Sequence, residues 1–447
     1  MNMNMKKIQL ITFSLLTAIL MGGCGNDWMD LQPSTEIETE GSLTELRDFE
    51  FVLNGAYSGM QSSSYYGATM MCYGDLTGDD MKCYKSSSTN VSYYTFKYNK
   101  TNGPSGFWSV YYGIAKNLNI LLRDIDRIEL VPDRMIITPK MEKLTEQVYH
   151  DDLKGEALAI RALMLFDMTR LYGYPYLKDN GASLAVPIMD NVVDDKNIKP
   201  SRNTTAECYK RIIEDLTEAV GLLRPVKKEG KSNKWAAMTL LSRVYHYKGE
   251  DSEAYKVATE AIKGAEKQGY RLWTNEEYAK IWATPFNSEL LFEIVNLTTD
   301  SPGKSSIGYI CTKYNMIATD KYWKKYLKGK SKDVRRQMVS AASSKKPYCL
   351  KYPAQGDKSY EDANVPVFRL SELYLNAAEA AVKNNDITNA RAYLKPVYAR
   401  TGEDLDDLAD KSITLDLVLE QRRIEFWGEG QRFFDLIRNN RKVERKD

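Results

Sequence analysis

The stretch EQRRIEFWGEGQRFFDLIRN, Glu420 to Asn439, holds eight formal charges, four aromatic rings and two glycines two residues apart. Charged and aromatic residues alternate too closely for one face to be wet and the other dry. Charges forced in among rings must do chemistry or pair with one another, because an unpartnered buried charge is costly. Glu429, Arg432, Asp435 and Arg438 are spaced three apart, so alternating signs can share one side of a helix and pair along it. The spacing predicts a helix from Leu415 to Trp427, a joint at Gly428-Glu429-Gly430, and a second helix from Gln431. Trp427, Phe433, Phe434 and Leu436 supply apolar cover. A structural role is therefore expected for Arg423, Glu425, Glu429, Gly430, Arg432, Asp435 and Arg438.

Upstream of this stretch, helices follow one another. FRLSELYLNAAEAAVKNNDITNARAYLKPVYARTG (368–402) reads as helix, NND turn, helix. KWAAMTLLSRVYHYKGEDSEAYKVATEAIKGAEKQGY (234–270) has the same layout, with Ala236, Ala237, Ala254, Ala258 and Ala261 among its small residues. Small residues let helices approach closely, as in tetratricopeptide-type hairpins. Thr204 and Glu207 have capping-box spacing at the head of TTAECYKRIIEDLTEAVGLL. DDLKGEALAIRALMLFDMTRLYGYPYL (151–177) is helical up to a Gly-Tyr-Pro stop. WSVYYGIAKNLNILLRDID (108–126) places Trp108, Tyr111, Ile114, Ala115 and Leu118 at helical spacing, which assigns Trp108 and Tyr111 to the core. Residues 43–60 also read as helix. The expected fold class is mainly α: tetratricopeptide-like hairpins forming a scaffold, with few short strands and a loop-rich face.

Two regions break the helical pattern. Residues 61–107 are rich in Ser, Gly, Asn, Thr and Tyr and read as a long irregular segment, of the kind that often carries function. Residues 271–366 mix loops, Trp, Tyr and short strand-like runs such as LLFEIV. Expected regions are 24–230 and 231–447, with 24–447 as one compact unit.

The chain has 447 residues and a formal net charge of +2, from 62 Lys and Arg against 60 Asp and Glu. No field of one sign would draw in nucleic acid, and none is expected as a partner. Tyrosine stands out, 30 against 12 Phe. Its flat ring with a polar tip suits wet binding surfaces as well as core edges.

The first residues pair a basic start, MNMNMKK, with a short apolar run, IQLITFSLLTAILM, and then GGC. The run is too short for an ordinary membrane span. It reads as a lipoprotein signal over 1–23, cleaved before Cys24, whose thiol and amine would carry lipid. Met21 stands where Leu is commoner. The other readings are a plain secretory signal or a signal anchor. GNDWMDLQPSTEIE then reads as a tether.

Catalytic and metal-binding signatures are sparse. Cys72 and Cys83 could pair in an oxidising compartment, whereas Cys208, Cys311 and Cys349 look solitary. No C-x-x-C, P-loop or G-x-S-x-G occurs, and the two histidines, His150 and His246, are too few for a His-based zinc site. GDLTGDD is the best acid cluster. Asp75, Thr77 and Asp79 alternate as at the start of a calcium loop, without its closing Glu. Asp75 with Asp79 or Asp80 could also be a glycosidase acid pair. No cofactor is expected, and short loops of Asp and Gly are more often plain turns.

Taken in order, several blocks resemble the RagB/SusD family of outer-membrane nutrient-binding lipoproteins across almost the whole mature length. These are CGNDWMDLQP, LTGDD, FWSVYYGIAKNLNILL, GEALAIRALMLFDMTRLYGYPYL, SRNTTAECYKRIIEDLTEA, VFRLSELYLNAAEA and the opening stretch. Two departures are the early stop after DLIRN and lean connecting loops. Loops carry ligand specificity in this family, so the ligand does not transfer with the fold. The resemblance implies a lipid-anchored protein on the outside of the outer membrane. It implies a SusC-like TonB-dependent transporter as partner, an oligosaccharide, or in some branches a peptide, as cargo, and no catalysis. A surface hydrolase using Asp75 and Asp79, and a scaffold for protein partners alone, are the rival readings.

Sugars present apolar C–H faces and hydroxyl edges, so a site needs flat rings together with amide, carboxylate or guanidinium groups. Candidate ligand contacts are Tyr65, Tyr66, Tyr73, Asp75, Asp79, Asn90, Tyr93 and Tyr94, with Asn99 beside them. A second group is Trp273, Trp282, Tyr309, Tyr314 and Trp323. Core or loop packing is the alternative for each ring.

Overall fold

The apolar spacing of the chain is realised as packed helical pairs. A computed structural model describes residues 43–83, 90–99, 103–190, 199–313, 316–330, 332–340, 347–355 and 360–445. The expected leader, Cys24, the tether and Tyr314 lie outside the described residues. The main helices are α1 (Leu46–Met60), α2 (Thr69–Leu76), α3 (Ser105–Asp124), α4 (Glu146–Tyr172) and α5 (Thr205–Leu222). They continue with α6 (Lys234–Lys248), α7 (Asp251–Lys267), α8 (Leu370–Lys383), α9 (Ile387–Tyr398), α10 (Leu415–Glu425) and α11 (Arg432–Arg438). Among the described residues no helix is long and apolar enough to cross a membrane.

Helix α4 is the central post. The Thr145 hydroxyl caps it by accepting the Val148 N–H at 3.3 Å, and the helix ends at Gly173. Its apolar residues run all round, and it is buried on nearly every face. Helix α5 packs against it and opens on the expected capping box. Glu207 N–H donates to Thr204 Oγ1 at 3.2 Å, and Thr204 N–H donates to the Glu207 carboxylate at 2.7 Å. Buried Arg161 joins the two helices through a two-point bond to Asp215, 2.8 Å at each nitrogen.

Helices α6 and α7 form one hairpin, and α8 and α9 form another. Helix α7 packs on α8, and buried alanines at 254, 258, 261, 377, 378 and 381 keep these helices close. Arg243 of α6 bonds Glu372 of α8 at 2.6 and 2.7 Å in the interior. The arrangement is tetratricopeptide-like and mainly helical.

Among the described residues, three two-stranded antiparallel pairs complete the fold: Met81–Cys83 with Met316–Ala318, Met135–Ile137 with Lys143–Thr145, and Leu290–Ile294 with Val365–Arg369. The last pair contains the LLFEIV run and is buried along both strands. Residues 43–447 form one compact unit, and contacts cross position 230, as where Lys231 pairs with Glu50 at 2.9 Å.

Several expectations change. Residues 61–107 are not uniformly irregular. They include α2, the strand Met81–Cys83 and a short helix at Val91–Thr95. Trp108 is not core: the buried stripe of α3 runs through Phe107, Tyr111, Ile114 and Leu118, which leaves Trp108 on its flank, 37% exposed. Cys72 and Cys83 are not bonded; the Cys72 thiol faces Met316 Sδ at 3.4 Å. Cys311 and Cys349, solitary in sequence, have neighbouring thiols. The joint between α10 and α11 falls where expected, with both Gly428 and Gly430 at positive φ.

Candidate ligand-binding site

Most charges of 420–439 are paired inside the protein, and mostly with partners far along the chain. Glu425 and Glu429 meet Arg369, at 2.8 Å to each, and Glu429 also meets Lys351 at 2.6 Å. Arg400 closes the group by binding Glu425 and Glu289. The Arg369 guanidinium lies 5.4 and 5.2 Å from the centres of the Trp273 and Trp282 rings. Arg438 joins Glu379 and Asp435, and Arg422 reaches Asn376 at 2.7 Å. Arg423 and Arg432 cross to α2's end, where Arg423 takes Asp80 at 2.8 Å and Arg432 takes Asp79 at 2.7 Å. Among the three-apart pairs, Asp435 with Arg438 forms. Glu429 and Arg432 instead turn to different partners, since Glu429 lies in the joint and Arg432 opens α11.

These partners remove the acid cluster from the surface. Burial opposes ionisation of Asp79, yet Arg432 and Arg423 hold its carboxyl below the ordinary range. A carboxylate held ionised in this way is no general acid. Asp75 is buried and accepts the Gly430 N–H at 3.0 Å, and burial pushes its carboxyl up to about 7. Thr77 is occupied by the Tyr98 hydroxyl at 3.3 Å. Neither the glycosidase pair nor the calcium-loop reading of GDLTGDD retains an open face. Among the described residues no group of three or more His, Cys, Asp and Glu could hold a metal.

Most predicted ring contacts are interior. Tyr65 and Tyr66 are buried and donate their hydroxyls to Asp167 of α4 at 2.7 and 3.0 Å, with Tyr65 stacked 4.2 Å from Phe107. Tyr73 is buried against Tyr93, Tyr98, Phe433 and Phe434. Trp273 and Trp282 form the box around Arg369. Asn90 is half-buried and donates to the Cys72 sulfur at 3.4 Å. Tyr309 and Trp323 are half-buried. Of the predicted rings in residues 61–99, Tyr94 keeps a partly open face.

Rings that the sequence reading left aside, and Trp108, which it assigned to the core, lie on the surface nearby. Phe96 and Tyr98 are 47% and 40% exposed, with ring centres 6.3 Å apart. Tyr98 rests on Tyr93 and Tyr73, at 6.2 and 6.4 Å. Burial pushes the Tyr73 and Tyr93 hydroxyls above their ordinary range, and the nearby Tyr172 hydroxyl adds to this. Tyr172 in turn lies edge-on to Trp108 at 5.3 Å, and Trp108 lies 5.2 Å from Tyr112. The Tyr112 hydroxyl donates to the Pro187 carbonyl at 3.0 Å, which fixes its tilt. Phe96 and Tyr98, with Tyr94 in the same short segment, thus form a shelf over a floor of Tyr73 and Tyr93, and Trp108, Tyr112 and Tyr172 form a second ring group whose Tyr172 lies near that floor. The Thr77 hydroxyl, 3.3 Å from that of Tyr98, holds the ring from below. In sequence the signal was diluted: the rings alternate between floor and shelf, and helical spacing alone marked Trp108 as core.

Elsewhere a concavity of about 690 Å³ is lined largely by apolar side chains, among them Phe51, Ile128, Leu130, Ile137 and Met141, and others are charged. A cleft of about 500 Å³ opens beside Arg423 and Arg432, where Lys325 pairs with Glu420 at 3.1 Å and Arg441 pairs with Asp416. No comparable row of rings lines it.

Residues 302–447 match the model of the SusD family, and residues 27–246 match a SusD-like family described as starch-binding and associating with the outer membrane. A crystal structure of a Bacteroides vulgatus protein, provisionally described as sugar binding, is 47% identical and superposes with a TM-score of 0.85 over 91% of this chain and 90% of that one. A SusD superfamily protein from the same species is 34% identical, with a TM-score of 0.81 over 91% of each chain. SusD-like protein P38 of Formosa agariphila is 23% identical over 98% of this chain and 93% of its own length.

Proposed function

The chain belongs to the SusD/RagB family, and we propose that it captures oligosaccharide on the shelf of Tyr94, Phe96 and Tyr98 and the ring group of Trp108, Tyr112 and Tyr172, without chemical turnover. The observation that carries this reading is two groups of partly exposed rings, one in Tyr94–Tyr98 and one of Trp108, Tyr112 and Tyr172, beside the same buried pair, Tyr73 and Tyr93. Flat rings take up the C–H faces of pyranoses, and tyrosine hydroxyls and amides meet their hydroxyl edges. The pairing of Asp79 with arginine, and the burial of Asp75, support binding over hydrolysis. The 47% identical relative described as sugar binding favours the same cargo class.

Within the same reading, residues 1–23 are a signal, Cys24 is the lipid anchor, and 24–447 act as one unit on the outer face of the outer membrane. The captured sugar is handed to a SusC-like TonB-dependent transporter. Electrophoresis through gels containing starch, laminarin, xylan or polygalacturonan tests the cargo. Retardation by at least one polymer, relieved in Tyr98→Ala and Trp108→Ala, is expected. No retardation by any polymer, together with calorimetric binding of peptides, would replace sugar by peptide. Shortening of a retained polymer would reinstate hydrolysis.

A further inference from the structure

We infer that Arg445 is a positioning residue for the ligand-binding shelf, strapping the Tyr94–Tyr98 segment onto the end of α2. The inference rests on the sugar-capture reading of that shelf. The Arg445 guanidinium lies over two rings at once, 4.4 Å from the centre of Tyr94 and 4.6 Å from that of Phe96. Its edge faces the other way. Nε donates to the Gly78 carbonyl at 2.9 Å, and Nη2 donates to the carbonyl of Leu76, the last residue of α2. The last carbonyls of a helix lack intrahelical donors and carry partial negative charge, which suits a cation there. One planar group thus satisfies a helix end with its edge and holds two rings with its face.

The adjoining residue fixes the approach. Glu444 pairs with Lys321 at 2.9 Å, and its backbone amide helps hold Asp79 ionised. The segment that is held has little order of its own. The helix Val91–Thr95 is a single short turn, too short to persist by itself. Phe96, which follows it, takes φ 55, a conformation that non-glycine residues adopt at a cost. The rings of Tyr94 and Phe96 are therefore kept in place by a contact more than three hundred residues along the chain. Order supplied before binding lowers the entropy lost when sugar docks.

The test compares the full mature chain with Arg445→Ala and Arg445→Lys. Amide exchange over 92–98 reads the strap without ligand, and titration with the best-retained polymer of the starch, laminarin, xylan and polygalacturonan set reads its consequence. Exchange over 92–98 should quicken about tenfold or more in Arg445→Ala, with α4 unchanged. Affinity should fall about fivefold to tenfold, as expected for one cation–π clamp with its ordering effect. Lys retains the charge but not the fork, so Arg445→Lys should fall between. Unchanged exchange over 92–98 would overturn the strap. Quickened exchange with unchanged affinity would overturn its role in positioning the shelf. A parent chain that binds none of the four polymers would overturn the sugar reading and the ligand role of Arg445 with it, while the exchange result still decides whether the strap exists.

Discussion

A Cβ placed on Gly74 would lie 1.8 Å from the carbonyl oxygen of Gly430, so helix α2 and the joint between α10 and α11 meet backbone to backbone. The contact is reciprocal: a Cβ on Gly430 would meet the Met70 carbonyl at 2.7 Å. Backbone cannot swing aside as a side chain can. Gly74→Ala should therefore cost about 3 kcal/mol or more, the upper end for overpacking. Gly113 in α3 has open space around its Cβ position and a helical backbone. Gly113→Ala should instead stabilise by up to about 1 kcal/mol. Urea unfolding of both variants checks the opposite signs; similar effects would mean that the close approach at Gly74 relaxes freely.

Arg432 reaches Asp79 at 2.7 Å with both side chains largely buried. Removing one member of such a pair strands the other, at about 3–5 kcal/mol. Arg423 also reaches Asp79, at 3.4 Å, so Arg432→Ala should lie near the lower figure. The fraction that folds should bind sugar as the parent does, because Arg432 is not on the shelf. The Asp79 carboxyl is held below its ordinary value of 3.8, so its contribution is present above that pH and is lost as pH falls through the folded value. The stability gap between parent and variant should accordingly narrow in acid. A gap that is constant from pH 6 to pH 2.5 would deny the pair its electrostatic role.

Asp75 works in the opposite sense. Burial raises its carboxyl from 3.8 to about 7. A raised acid favours the folded state below the ordinary value, and that advantage is lost as pH climbs toward 7. The full span is at most about 4 kcal/mol, at 1.36 kcal/mol per unit. Asp75→Asn keeps an oxygen for the Gly430 N–H but cannot ionise. Its stability relative to the parent should improve from pH 5 to pH 7 and then level off. Glu293, also raised to about 7, is common to both proteins and cancels. Denaturant midpoints at pH 5, 6, 7 and 8 decide; a flat difference would mean Asp75 is ionised throughout.

The helices, the capping box at Thr204 and the joint at 428–430 were legible because each is set by residues within a few positions of one another. The pairing of the charges was not. Arg423 meets Asp80, Glu429 meets Arg369 and Lys351, and Arg432 meets Asp79, all through folding back of distant segments. Spacing showed that the charges needed partners, and local spacing named the wrong ones in all but the Asp435–Arg438 pair. The site failed for a related reason. Tyr65 and Tyr66 look like loop rings until Asp167, about a hundred residues on, takes both hydroxyls. Whether a ring is floor or shelf depends on which helix arrives above it, and composition does not carry that.

Tyr65 and Tyr98 therefore separate two roles that the sequence joined. Tyr65 is fully buried, stacked on Phe107 and bonded to Asp167. Tyr65→Ala opens a ring-sized cavity and leaves Asp167 with one hydroxyl fewer, so it should cost about 3–5 kcal/mol. Sugar affinity of the folded fraction should hold within about twofold, since 0.4 kcal/mol is all that factor represents. Tyr98 has 40% of its surface in water and contacts Tyr73 and Tyr93 by one face. Tyr98→Ala should cost about 1 kcal/mol or less in stability, in keeping with a surface ring. Affinity should fall about tenfold, the scale of one ring–sugar stack. Trp108→Ala should behave like Tyr98→Ala, although Trp108 is carried by α3 and Tyr98 by the coil that follows the short helix Val91–Thr95. Thermal unfolding beside titration with the retained polymer gives both axes for each variant. If Tyr65→Ala lowered affinity more than Tyr98→Ala at equal folded concentration, the ligand would be entering the interior behind the shelf, and the surface site would have to be abandoned.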